Sequence, residues 1–166
     1  MSAGHILEVR DLRKVFTTKR GFPNPETVHV QAIDGVSFSV RKGESFGLVG
    51  ESGCGKSTVG RCTLQLIQPT SGEVSYKGQS ITQANRRDLN RLRQDIQIIF
   101  QDPYSSLNPR MTVGNAIMEP MTIHGIYSTE AERRDKAIEL LTKVNLSEVH
   151  FHRYPHEFSG GQRQRI

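Results

Sequence analysis

Gly50-Glu51-Ser52-Gly53-Cys54-Gly55-Lys56-Ser57-Thr58 decides how the rest of this chain is read. The pattern is G-x-x-x-x-G-K-[ST], a phosphate-binding loop. Glycines let the backbone curl around a polyphosphate without Cβ clashes. A curled backbone turns N–H groups inward, and the helix that follows adds the positive end of its dipole. Lys56 supplies a cation for the β- and γ-phosphates, and Ser57 a hydroxyl for Mg²⁺.

The flanks agree with that reading. Glu44-Ser45-Phe46-Gly47-Leu48-Val49 predicts a short buried strand. Val59, Cys62 and Leu66 fall at i, i+3, i+7, one face of a helix. That helix is expected to stop by Gln68, because Pro69 and the turn-like Thr70-Ser71-Gly72 follow. Strand, glycine loop and helix, in that order, are what the motif requires.

A chain of 166 residues predicts one compact domain. No apolar run approaches the roughly 20 residues that span a bilayer. The N-terminus has no long apolar stretch of the secretory kind. Cys54 and Cys62 are too few for a disulfide framework or a zinc site. Cys62 reads as a small core residue and Cys54 as a small side chain tolerated inside the loop. The histidines show no ligand spacing. The net charge of +5 gathers at 10–20, 86–93 and 163–165. No RNA- or DNA-binding motif accompanies it, so a solvated surface beside a nucleotide site is favoured over a nucleic-acid interface.

In chain order, Ile6–Leu12 alternates in part and predicts an opening strand that Lys14-Val15-Phe16 continues. Gly21-Phe22-Pro23-Asn24-Pro25 is a turn. Val28–Ile33 and Val36–Val40 predict two strands broken near Asp34-Gly35. Gly72–Gly78 is a further strand, Arg86–Gln94 a short charged helix and Ile96–Phe100 a buried strand ending at Gln101-Asp102-Pro103. A helix is expected to start within Thr112–Met118. Thr129 with Glu132 fits a capping box, and Ala137, Leu140, Leu141 and Val144 make an apolar stripe behind it. Glu132–Lys136 and Glu139–Lys143 are expected i, i+4 pairs. Residues 103–157 therefore read as a mainly helical insert after a β-rich section.

Phe158-Ser159-Gly160-Gly161-Gln162 is a second glycine motif, with Ser159 placed to cap a helix. With the phosphate loop, this order of motifs resembles the nucleotide-binding domains of ATP-binding cassette (ABC) transporters, along essentially the whole chain. Phe158–Gln162 is similar to that family's signature motif, usually written with Leu first. Gln101 resembles the Q-loop glutamine and Phe16 the aromatic that stacks on adenine. Asp102–Arg110, Arg153–Glu157 and Phe158–Ile166 resemble the ATPase subunits of bacterial dipeptide and oligopeptide importers.

The resemblance implies an α/β fold: a P-loop NTPase core with an N-terminal antiparallel β section and a mainly helical insert. It implies three parts: 1–102, the β-rich section and core; 103–157, the helical subdomain; 158–166, the signature and the start of its helix. Lys56 and Gln101 would be catalytic. Gly50, Glu51, Ser52, Gly53, Cys54, Gly55, Lys56, Ser57 and Thr58 would hold ATP with Phe16. Ser57 and Gln101 would contact Mg²⁺. Ser159, Gly160, Gly161 and Gln162 would meet the γ-phosphate held by a second ATPase subunit in a head-to-tail dimer. The implied function is the ATP-binding part of a peptide importer, peripheral to the cytoplasmic face of the inner membrane. Its partners would be transmembrane permease subunits and, indirectly, a peptide-binding protein, with no nucleic acid.

The family pattern continues, past the signature helix, to a strand ending in Asp-Glu (Walker B) and a switch histidine. Neither is in these 166 residues. The chain is therefore expected to be C-terminally truncated, with little ATP turnover by itself and an apolar phosphate-loop strand left at an open sheet edge. Two alternatives stay open: an ABC-type ATPase acting on nucleic acid, and a binding-only nucleotide module. A GTPase is disfavoured, because no Asn-Lys-x-Asp is present.

Overall fold

The computed structural model describes residues 4–102 and 106–166. It divides into two units, Met1–Ile96 and Gln97–Ile166. Pro103, Tyr104 and Ser105, part of the stretch compared with importer subunits, lie outside the described residues.

The first unit is a four-stranded antiparallel sheet, in the order β2-β1-β3-β4, with α1 and α2. β1 (His5–Arg20) and β2 (Glu26–Arg41) form a long hairpin around the Gly21–Pro25 turn. β3 (Ser71–Tyr76) pairs with the other edge of β1, and β4 (Gln79–Ser80) with β3. Strict alternation would put Val9 and Leu12 on opposite faces. A register shift between them adds one residue, Asp11 takes φ 43, and both side chains become buried. The partial alternation of the opening stretch thus marks a bulge.

The expected break at Asp34-Gly35 is a bulge too, and β2 runs through it as one strand. Ladder pairing on both sides carries the backbone across a local Asp-Gly signal. Arg13 bridges the two bulges, donating to Asp11 Oδ1 at 3.0 Å and to Asp34 Oδ1. These carboxylates raise the Arg13 pKa, chiefly through the hydrogen bond to Asp11. Val9, Leu12, Ile33, Val74 and Tyr76 form the core with Ile81 and with Val59 and Cys62 from α1 (Lys56–Thr63). Burial pushes the Cys62 thiol up, partly opposed by the nearby charge of Lys14.

Three expectations fail here. Neither 44–49 nor 96–100 is a strand. Phe46, Leu48 and Val49 are exposed, as are Ile98, Ile99 and Phe100. A strand exists only where a neighbour completes its hydrogen-bond ladder, and none of the described strands pairs with either segment. The helix after the phosphate loop stops before Gln68, as expected, but already at Thr63, too early to carry Leu66 on its face. Leu66 therefore leaves the apolar stripe and is exposed.

The second unit is helical, as expected for the insert: α3 (Val113–Ile123), α4 (Glu130–Lys143) and α5 (Gly160–Arg165), with 3₁₀ turns at Glu148–His150 and Pro155–Glu157. Val113, Ala137, Leu141, Leu146, Phe151 and Phe158 form its core. The first N–H groups of α3 are satisfied from across this core. Val113 N donates to Arg153 O and Gly114 N to Phe151 O, each at 2.9 Å. α2 (Arg86–Asp95), in the first unit, starts at Asn85, whose side chain accepts from Arg87 N and Asp88 N.

The capping box at α4 is present. Thr129 Oγ1 accepts from Glu132 N at 3.2 Å, and Glu132 Oε2 accepts from Thr129 N and Ser128 N at 2.9 Å. These bonds, led by the one from Thr129 N–H, hold the Glu132 carboxyl below its ordinary range. The expected Glu132–Lys136 pair does not form, because the carboxylate is turned back to the cap. Lys136 and Lys143 both pair with Glu139 and lower its pKa to about 2. Thr129→Ala is expected to lower the stability of the helical unit by about 1 kcal/mol, read as a shift of the urea midpoint without a change in slope.

Candidate functional site

The phosphate loop leaves β2 through the turn at Lys42-Gly43 and enters α1 at Lys56. Gly55 is the N-cap, in the left-handed region at φ 94, and its Cβ position lies 2.3 Å from Ala32 O. Only glycine combines that φ with so close an approach to the strand. Ala32 falls between the register pairs Lys14↔Ile33 and Val15↔Gln31, so it is the extra residue of a bulge. The start of α1 is thus seated on an irregularity of β2.

Lys56 folds back over the loop. Its Nζ donates to Gly50 O at 2.8 Å and to Glu51 O, and lies 3.5 Å from Cys54 Sγ. The ammonium is held inside the loop it belongs to. No side chain caps α1, which leaves the N–H groups of its first turn for another acceptor. Ser57 is exposed and Thr58 half-buried on that same turn. A cation, open helix N–H groups and two hydroxyls converge within one loop, which is the donor set a polyphosphate needs. Among the described residues there is no cluster of three His, Cys, Asp or Glu. The Ser57 hydroxyl is a hard oxygen donor of the kind that would hold Mg²⁺ together with phosphate oxygens.

Phe16 stands on the same unit. It pairs with Val30, is 37% exposed, and carries Lys14 Nζ over its ring at 5.0 Å from the centroid. Lys14 was not singled out by motif reading. Its signal was there, since residues two apart on a strand share a face. Cys62 is buried, as expected, and Cys54 is exposed.

The second unit holds the other candidates. Gln101 is exposed at a bend. Ser159 caps α5: its Oγ accepts from Gln162 N at 3.3 Å, and Gln162 Oε1 accepts from Ser159 N at 3.0 Å. Gln162 therefore spends its side-chain carbonyl on the cap. Gly160 and Gly161 form the first turn of α5. Phe158 points the other way, into the core at 3% exposure, while its carbonyl accepts from Arg163 Nε and NH2 at 2.9 and 2.8 Å. His156 is exposed and stacks on Tyr154.

Residues 33–166 match the protein family described as ABC transporter. The chain is 51% identical, over 162 residues, to the oligopeptide transport ATP-binding protein AppF of Bacillus subtilis (strain 168), covering 97% of this chain and 49% of that protein. It is 48% identical, over 161 residues, to the dipeptide transport ATP-binding protein DppF of Escherichia coli (strain K12), covering 97% of this chain and 48% of that protein. The chain spans about half the length of these curated relatives. Its fold is similar to that of a dimeric ATP-binding cassette in a post-hydrolysis state bound to ADP and Pi. There the TM-score is 0.77 at 28% identity, covering 96% of this chain and 66% of that one.

Proposed function

The chain belongs to the ABC transporter family, and from that premise we propose that it is part of the ATP-binding subunit of an importer that couples ATP binding and hydrolysis to peptide uptake across the cytoplasmic membrane. The observation that carries this reading is the closed loop Gly50–Thr58, with Lys56 Nζ held against Gly50 O and Glu51 O ahead of an uncapped α1. Lys56 holds the β- and γ-phosphates, the loop N–H groups cradle the chain of phosphates, and Thr58 binds the α-phosphate. Ser57 would hold Mg²⁺, with Gln101 as a second candidate ligand. The metal, when bound, offsets phosphate charge. Gln101 also orients the attacking water. Phe16 takes the adenine.

Ser159, Gly160 and Gly161 contact the γ-phosphate of a second subunit in a head-to-tail pair, with Gln162 holding the turn. Ser159 suits that role: its oxygen accepts the cap bond, so its hydroxyl proton is left to donate. In this reading residues 1–102 carry the nucleotide, 103–157 receive the permease subunit and 158–166 present the signature. The subunit then lies at the cytoplasmic face of the inner membrane without crossing it. No described helix is long and apolar enough to span a bilayer. Peptide as cargo is supported by the names of the relatives, AppF and DppF.

The test is a crosslink in the full-length protein. Ser57→Cys and Ser159→Cys are expected to join two copies trapped with MgATP and not to join them without nucleotide. Failure to crosslink in a double variant shown to retain MgATP binding overturns the head-to-tail reading.

A further inference from the structure

The half-buried Lys14 ammonium makes two contacts at once. It donates to Gln68 O at 2.7 Å, in the segment that leaves α1, and it lies over the Phe16 ring. Its neighbours anchor the same segment. Thr70 N donates to Arg13 O at 2.8 Å, and Val15 N donates to Thr70 Oγ1 at 2.9 Å. The entry of α1 is seated on Ala32, in the bulge opposite Lys14 and Val15. The entry to the phosphate-loop helix thus rests on Ala32 of β2, and the segment that follows the helix, through Gln68 and Thr70, on the Arg13-Lys14-Val15 stretch that precedes Phe16. Val30, the partner of Phe16, is two residues from Ala32, about 7 Å along a strand. That is the order of separation a ribose spans between phosphate and base.

Beyond Arg13↔Ser71 none of the described strands pairs with β1 on the side away from β2, so the Phe16 ring has a strand neighbour on one side only, Val30 of β2, which does not by itself fix it. A cation over one face does so, and it leaves the opposite face for an incoming aromatic. We infer that Lys14 is a positioning residue for nucleobase recognition: it holds the Phe16 ring on the frame of α1 so that the free ring face receives the base. This rests on the reading that Gly50–Thr58 binds nucleotide and that Phe16 meets its base.

The experiment compares the affinity of the chain for MgATP and for magnesium tripolyphosphate, which lacks ribose and base. Lys14→Met is expected to weaken MgATP about fivefold and to leave tripolyphosphate unchanged. Lys14→Arg, which keeps a cation and its donors, restores MgATP. If Lys14→Met weakens both ligands equally, Lys14 is only structural and the inference is overturned. It is also overturned if Phe16→Ala removes the preference for MgATP while Lys14→Met does not, and then Phe16 as the platform survives. If Phe16→Ala leaves the preference intact, the base platform fails and Lys14 falls with it. Loss of both ligands in Lys56→Ala, checked in parallel, reports on the phosphate loop separately.

Discussion

Lys56→Ala is expected to lower the affinity for MgATP by about a thousandfold. The figure follows from two charge-assisted hydrogen bonds to phosphate at about 2 kcal/mol each, with about 1.4 kcal/mol per decade of affinity. The geometry gives a second reason. Lys56 Nζ bonds Gly50 O and Glu51 O, so its removal also releases the closure of the loop. Lys56→Arg is not expected to rescue, because a planar fork cannot take the place of a compact ammonium packed among carbonyls. Titration calorimetry against MgATP measures the effect. A loss below about tenfold would show that loop N–H groups, not the cation, dominate binding.

Phe158→Ala is the largest expected loss of stability, about 3–5 kcal/mol. A small domain has only about 5–15 kcal/mol in total, so much of the helical unit's stability goes with one side chain. Phe158 is 3% exposed, packs in the core with Val113, Leu141, Leu146 and Phe151, and lies beside the His150 ring at 5.5 Å. Phe158→Leu is expected to cost under about 1.5 kcal/mol. Urea unfolding followed by circular dichroism separates the two variants. If alanine and leucine behave alike, the position is not a packing site. If alanine alone is costly, Phe158 acts as a volume-filling side chain ahead of Ser159-Gly160-Gly161.

The parts of the site legible in the residues are those whose partners lie a few positions away. Gly50–Thr58 closes on itself through Lys56, six residues from Gly50. Thr129 and Glu132 form one box, and Ser159 and Gln162 another. In each case the bond is made between near neighbours in the chain, so a short pattern contains both donor and acceptor. The same locality explains one failure. Glu132 has two short-range options, and the cap takes the carboxylate that was expected to pair with Lys136.

Long-range pairing set the rest. Apolar runs at 44–49 and 96–100 have strand composition, yet a strand needs a ladder supplied from elsewhere, and no described strand supplies one. Val9 and Leu12 share one core only because β2 and β3 force a bulge between them. Lys14 reaches the segment that leaves α1 through Gln68, 54 positions away. The amino-acid order thus encodes the phosphate loop, the caps and the family, all built from hydrogen bonds between near neighbours. Which apolar runs become strands, and which segment Lys14 ties to β1, depends on contacts between distant segments, and those exist only once the chain has folded.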